Sequence, residues 1–70
     1  MNRQDVSSSN IRSIGYDSES QTLEIEFHSG GIYQYFNVPK STYNELMSAS
    51  SHGSFFSRQI KDQFEWTQIQ

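Results

Sequence analysis

The stretch Thr22–Pro39, TLEIEFHSGGIYQYFNVP, constrains this chain more than any other. Leu23, Ile25 and Phe27 alternate with Thr22, Glu24, Glu26 and His28. Side chains on a strand point to opposite faces in turn, so the run predicts a strand with one apolar and one wet face. His28-Ser29-Gly30-Gly31 follows as a hairpin turn, where glycine supplies positive φ without steric cost. Ile32–Val38 is the returning strand. Pro39 ends it, because proline has no N–H for the ladder, and it suits the first turn of a helix.

The facing of the returning strand depends on the loop. A two-residue loop opposes Phe27 to Ile32 and buries Ile32, Gln34 and Phe36. A three-residue loop with a glycine bulge opposes Phe27 to Tyr33 and buries Tyr33 and Tyr35. The second is preferred, because it keeps Gln34 out of the core and sets two rings beside Ile25 and Phe27. Ile32 and Phe36 then form an outward apolar pair.

The segment before this hairpin adds one strand. Residues 1–9 are polar and serine-rich and read as a flexible arm that Val6 anchors. Ile11–Asp17 is rich in β-branched and aromatic residues. Ile14 and Tyr16 share a face, Ile11 falls on the other, and Gly15 marks a bulge or a close backbone approach. After Pro39 the pattern turns helical. Tyr43, Leu46 and Met47 form a stripe on a helix running to about Ser50. Gly53 suits a left-handed cap, Ser54 or Ser57 an N-cap, and Phe56, Ile60 and Phe64 one apolar side of a second helix. Trp66 and Ile69 lie in an extended tail or a short last strand. The expected fold is α+β: a three-stranded antiparallel β-meander covered on one face by two short helices, β-β-β-α-α, with a possible C-terminal strand.

At 70 residues the chain is read as a single domain, 1–70, of modest stability. Its aliphatic content is low, but one Trp, four Tyr and five Phe can build a core. It has no cysteine, hence no disulfide framework and no thiolate metal site, and this favours the cytoplasm. The first ten residues lack the apolar run of a signal peptide, and no segment approaches a membrane span. The net charge of −3 excludes a broad basic surface for nucleic acid.

No stretch carries catalytic chemistry. His28 and His52 sit in separate turns without a partner at ligand spacing and read as solvated loop residues. Glu24 and Glu26 share a face near Arg12 or Gln34, and a carboxylate pair of glycosidase type needs a cleft. No nucleophile elbow, phosphate loop or dinucleotide fingerprint is present. Ser50-Ser51-His52-Gly53-Ser54, leading into a helix with Arg58 and Lys61, is the nearest thing to an anion site. Tyr33, Tyr35 and Tyr43 fit either a base-stacking platform or the core of an aliphatic-poor domain, and core is preferred.

The serine-rich VSSSNI, then IGYD, the alternating LEIEF, GGIYQYFNVP with its Y-x-Y, and the ASSHGSFFSRQI block come in an order that resembles the KTSC domain family. The match runs from about Val6 to Phe64. Ser57 stands where the family often has asparagine, and Phe64 where it often has tyrosine. The resemblance implies a small bacterial or phage domain, related to domains at the C-terminus of some lysyl-tRNA synthetases. It also implies a proposed RNA-binding role, no known catalytic residues, and no activity established for the family.

The sequence is therefore read as a non-enzymatic, cytoplasmic interaction module without cofactor or metal. Its first expected partner is an unidentified protein bound through Ile32, Gln34 and Phe36 on the open sheet face. The alternative is RNA, tRNA in particular, bound through Lys40, Ser54, Arg58 and Lys61. No membrane partner is expected, and the chain is expected to be a monomer or a weak homodimer.

Overall fold

The computed structural model describes residues 1–70. It comprises β1 (Arg3–Asp5), β2 (Ile11–Asp17), β3 (Thr22–Phe27), β4 (Ile32–Tyr35), α1 (Lys40–Ser48), α2 (His52–Gln59) and β5 (Trp66–Gln68). The strands form one antiparallel sheet in the order β1-β2-β3-β4-β5, and both helices lie in the connection from β4 to β5. The α+β class is as expected and the possible C-terminal strand is present as β5, but with β1 the meander has five strands rather than three. Each added strand takes an edge: β1 pairs Arg3 with Gly15 and Asp5 with Ser13, and β5 pairs Trp66 with Tyr35 and Gln68 with Tyr33. Part of the segment expected as an arm thus belongs to the sheet.

The β3–β4 register places Ile25 opposite Tyr33 and Leu23 opposite Tyr35. The three-residue loop is His28-Ser29-Gly30, closed by a bond from Phe27 N to Gly31 O at 2.9 Å, with Gly30 at φ 103°. Phe27 therefore opposes Gly31 rather than Tyr33. A shift of two residues preserves facing, so Tyr33 and Tyr35 still share the helix side with Ile25 and Phe27. On β2 the irregularity falls between Ile11 and Ser13, not at Gly15. Arg12 is the extra residue and is exposed, and the bulge returns Ile11 to the same face as Ile14. Gly15 marks the close approach instead: a Cβ there would lie 2.8 Å from the Asn2 carbonyl oxygen.

The core between sheet and helices consists of Ile11, Ile14, Leu23, Ile25, Tyr35, Val38, Leu46, Phe56 and Ile60. Each aliphatic or phenylalanine side chain among them, withdrawn from water, contributes about 1.5–3 kcal/mol. On α1 the expected stripe faces inward, with Leu46 buried and Tyr43 and Met47 half-buried. Tyr43 stacks on Tyr16, with ring centroids 4.7 Å apart, and the Tyr16 hydroxyl donates to the Val38 carbonyl. Helix α1 ends at Ser48 and α2 starts at His52, so Gly53 is helical rather than a terminal cap. The N-cap of α2 is Ser51, whose hydroxyl accepts from Ser54 N at 3.2 Å, and not Ser54 or Ser57. No helix is long and apolar enough to cross a membrane.

Candidate binding cleft

A cleft of about 660 Å³ opens between the β3–β4 turn, the start of β2, α2 with the turn after it, and β5. Its aromatic lining follows from the strand register. Phe27, Tyr33 and Tyr35 project to the helix side, α2 sets Phe56 against them, and β5 adds Trp66 at the sheet edge. The rings form an unbroken chain. Tyr35 meets Phe56 at 5.3 Å, Phe56 meets Phe27 at 5.4 Å, Phe27 meets Tyr33 at 5.6 Å, and Tyr33 meets Trp66 at 5.5 Å between centroids. All four contacts are tilted or edge-on, the arrangement that aromatic quadrupoles favour. The chain runs from Tyr35, 4% exposed, to Trp66, 54% exposed. It joins the core to an open aromatic surface.

The polar groups of the cleft lie along its rim. Asn10, His28, Ser57, Lys61 and Asp62 are among them. The turn is fastened to the start of β2 by His28 N donating to Asn10 O and by His28 Nε2 donating to Ser8 O, both at 2.9 Å. Of the four tyrosines only Tyr16 has its hydroxyl bonded within the chain. Tyr33 and Tyr35 thus line the cleft with uncommitted hydroxyls. No fully buried side-chain polar atom lacks a partner, so the Tyr35 hydroxyl is reached by solvent. Burial, and secondarily Tyr33, push the Tyr35 pKa up to about 12, so this hydroxyl stays protonated and able to donate.

The opposite face of the sheet is closed by a polar network. Arg3 pairs with Glu24, donates from Nε to Ser13 Oγ at 3.0 Å, and lies 3.7 Å from Glu26. Ser13 donates to Glu26 at 3.0 Å, and Gln34 donates to Glu24 at 2.9 Å. Arg3, not Arg12, is the cation for these carboxylates. Burial alone would raise the Glu24 carboxyl. Hydrogen bonds from Gln34 and Arg3, with the charges of Arg3 and the N-terminal ammonium, outweigh burial and hold it below its ordinary value.

The residues singled out on that face offer little free surface. Ile32 is 6% exposed, Gln34 is engaged by Glu24, and Phe36 is half-buried. Among the cationic set, Ser54, Arg58 and Lys61 come from α2 and the turn after it, while Lys40 opens α1. Ser54 and Arg58 border a shallow depression of about 240 Å³ that shares Asn10, Gly53 and Ser57 with the cleft, and Lys61 lines the cleft itself. Tyr43 lies elsewhere, against Tyr16. His52 Nδ1 is bonded to Leu46 O at 2.9 Å and is half-buried, so it is no solvated loop residue. No three His, Cys, Asp or Glu side chains come together as a metal site. Sequence reasoning missed Trp66 and Asn10. The available signal was the lone tryptophan of the chain, in a tail outside the helical stripe.

This fold and cleft can be set beside known proteins. The family model described as KTSC domain matches residues 7–64, most of the chain. A KTSC domain protein from Yersinia pestis, known from a crystal structure, is 48% identical with a TM-score of 0.96, over 99% of this chain and 97% of that one. An uncharacterized protein of Stutzerimonas stutzeri is 44% identical over 63 residues, covering 90% of this chain and 89% of its own length. A protein of Nostoc punctiforme named lysine–tRNA ligase is 43% identical over 59 residues, 84% of this chain. The match spans only 10% of that ligase. Family model, whole-length relative and solved structure agree on the family, and the chain belongs to the KTSC domain family.

Proposed function

We propose that this chain is a non-enzymatic, cytoplasmic interaction module that holds a segment of a protein partner in the aromatic cleft. The observation that carries this reading is the ring chain from Tyr35 to Trp66, which ends in an aromatic surface 54% exposed at Trp66. An aromatic wall beside convergent polar groups suits an apolar or aromatic side chain with its backbone held at the rim. The charge at the rim is balanced, with Lys61 beside Asp62, and the chain is acidic overall. Both features suit a peptide better than a phosphate backbone. The cleft replaces the Ile32–Phe36 face as the proposed contact surface, because that face is occupied by its own polar network.

RNA is the second reading. It is favoured by the relative named lysine–tRNA ligase, by Lys61 in the same cleft as the exposed Trp66 ring on which a base can stack, and by Ser54 and Arg58 in the adjoining depression. One experiment separates the two. Peptides selected from a random displayed library on the wild-type protein are retested on Trp66→Ala, and unfractionated tRNA is titrated at low and moderate salt. The protein reading expects peptides that share an apolar or aromatic residue and lose binding at least about tenfold on Trp66→Ala. The RNA reading expects tRNA binding that weakens steeply with salt and with Lys61→Ala. Selected peptides that bind Trp66→Ala as well as wild type contradict the first reading, and absent or salt-indifferent tRNA binding contradicts the second.

A further inference from the structure

The two edges of the sheet differ in kind. At one edge, β1 carries Arg3 and Asp5 in three residues, and charges on an edge discourage further pairing. At the other edge, β5 and the residues after it read Trp-Thr-Gln-Ile-Gln and carry no side-chain charge. Trp66 and Ile69 are exposed there by 54% and 49%. The helices do not close over this edge, since all of β5 is exposed.

The register shows which backbone groups face outward. Phe36 N donates to Glu65 O at 2.9 Å and Ile69 N donates to Ile32 O at 2.8 Å, so Glu65, Thr67 and Ile69 turn their backbone toward β4. Antiparallel ladders alternate, so Trp66 and Gln68 turn theirs away from the sheet. No turn, loop or cap bond uses those groups. A strand with outward bonding groups on two residues flanking a third is self-complementary about that third residue.

We propose that β5 is a self-pairing edge, through which two copies of this chain join antiparallel about a two-fold axis at Thr67. Trp66 of one copy then exchanges both backbone bonds with the partner's Gln68, and symmetry repeats the exchange. The two Thr67 residues meet as a non-hydrogen-bonded pair, a position where threonine side chains interact favourably. The axis is perpendicular to the sheet, so the helix faces of both copies lie on one side. Both clefts open on that side, with the two Trp66 rings flanking the axis. The pairing stands independently of what the cleft binds.

The absence of cysteine makes the test direct. Non-hydrogen-bonded antiparallel residues have Cα atoms about 4.5 Å apart, within disulfide range. Thr67→Cys, oxidised with glutathione, is expected to form a covalent dimer at least about tenfold faster than Ser41→Cys on the exposed start of α1. Sedimentation equilibrium of the wild type, from about 10 µM to 1 mM, is expected to show a dimer fraction that rises with concentration. Gln68→Pro removes an outward N–H without touching the β4 ladder; it is expected to keep the fold by NMR and to weaken the dimer at least about tenfold. A wild type that stays monomeric across this range overturns the proposal. So does a dimer that Gln68→Pro leaves intact, or one in which Thr67→Cys crosslinks no faster than Ser41→Cys, because association then uses another surface.

Discussion

Arg3 reaches over Gly15 to pair with Glu24. The three residues lie in one row across neighbouring strands: β1 sets Arg3 opposite Gly15, and β2 sets Gly15 opposite Glu24. Glycine leaves the middle of the row empty, and the Arg3 side chain occupies it, with Cγ 3.0 Å from where a Cβ would stand. The ion pair thus ties β1 to β3 across an intervening strand. It also explains how three polar residues, Arg-Gln-Asp, hold an edge strand without an apolar side chain of their own.

Acid should loosen this tie. The Glu24 carboxyl is held below its ordinary value of 4.5 in the folded chain, so its ionised form favours folding. The contribution is fully present above the unfolded value and is lost as pH falls through the lower folded value. Urea melts between pH 7 and pH 2 are expected to show stability dropping below about pH 4.5 in the wild type, with a shallower drop in Glu24→Gln. Arg3→Ala at neutral pH is expected to cost about 1–3 kcal/mol, with the loss concentrated at β1 in hydrogen exchange.

Gly15→Ala tests the row from its middle. The added methyl would sit 2.8 Å from the Asn2 carbonyl oxygen, which is backbone and cannot rotate aside. The expected cost is about 1–3 kcal/mol, with faster amide exchange from Arg3 to Val6 and little change in the helices. Gly53→Ala is a control: its nearest neighbour would be 3.6 Å away, an ordinary contact.

Helix α2 depends on its cap. Ser51 satisfies the Ser54 N–H, and α2 spans only eight residues. Ser51→Ala is expected to cost about 1 kcal/mol, and Ser51→Asp to retain most of the stability. Thermal melts of the three proteins check the order wild type, Asp, Ala.

Alkali should act through Tyr35. Its folded pKa is raised from 10.0 to about 12, so folding favours the neutral phenol. That stability is present below pH 10 and is lost as pH rises through the folded value. Denaturant melts from pH 9 to 12 are expected to show the loss in wild type and a smaller loss in Tyr35→Phe.

The parts of this fold legible in the sequence are those with local periodicity. Leu23, Ile25 and Phe27 announce β3 by alternation, and avoiding a buried Gln34 is enough to predict which face of β4 is inward. The Tyr43-Leu46-Met47 stripe does the same for α1. Strand β1 was not legible, because its pairing rests on an arginine crossing a glycine twelve residues away in sequence rather than on an apolar pattern. Simple alternation misplaces Ile11, because a bulge at Arg12 breaks the count of two. The cleft was invisible for a related reason. Asn10, Phe27, Tyr33, Lys61 and Trp66 come from five separate segments, and only the return of β5 beside β4 brings Trp66 to the others. Alternation places Ile32 on the outward face, yet it is 6% exposed there, and its backbone pairs with Ile69 and Gln70.

The most direct test of the cleft as the partner site is chemical-shift mapping of labelled protein with a peptide selected on the wild type. The chain has a single tryptophan, so one indole N–H reports the cleft wall without ambiguity. Saturable shifts are expected at that indole and at the amides of Asn10, His28, Tyr33 and Lys61. Shifts confined instead to Arg3, Ser13, Gln34 and Phe36, with the indole unmoved, would contradict it and return the binding surface to the other face of the sheet.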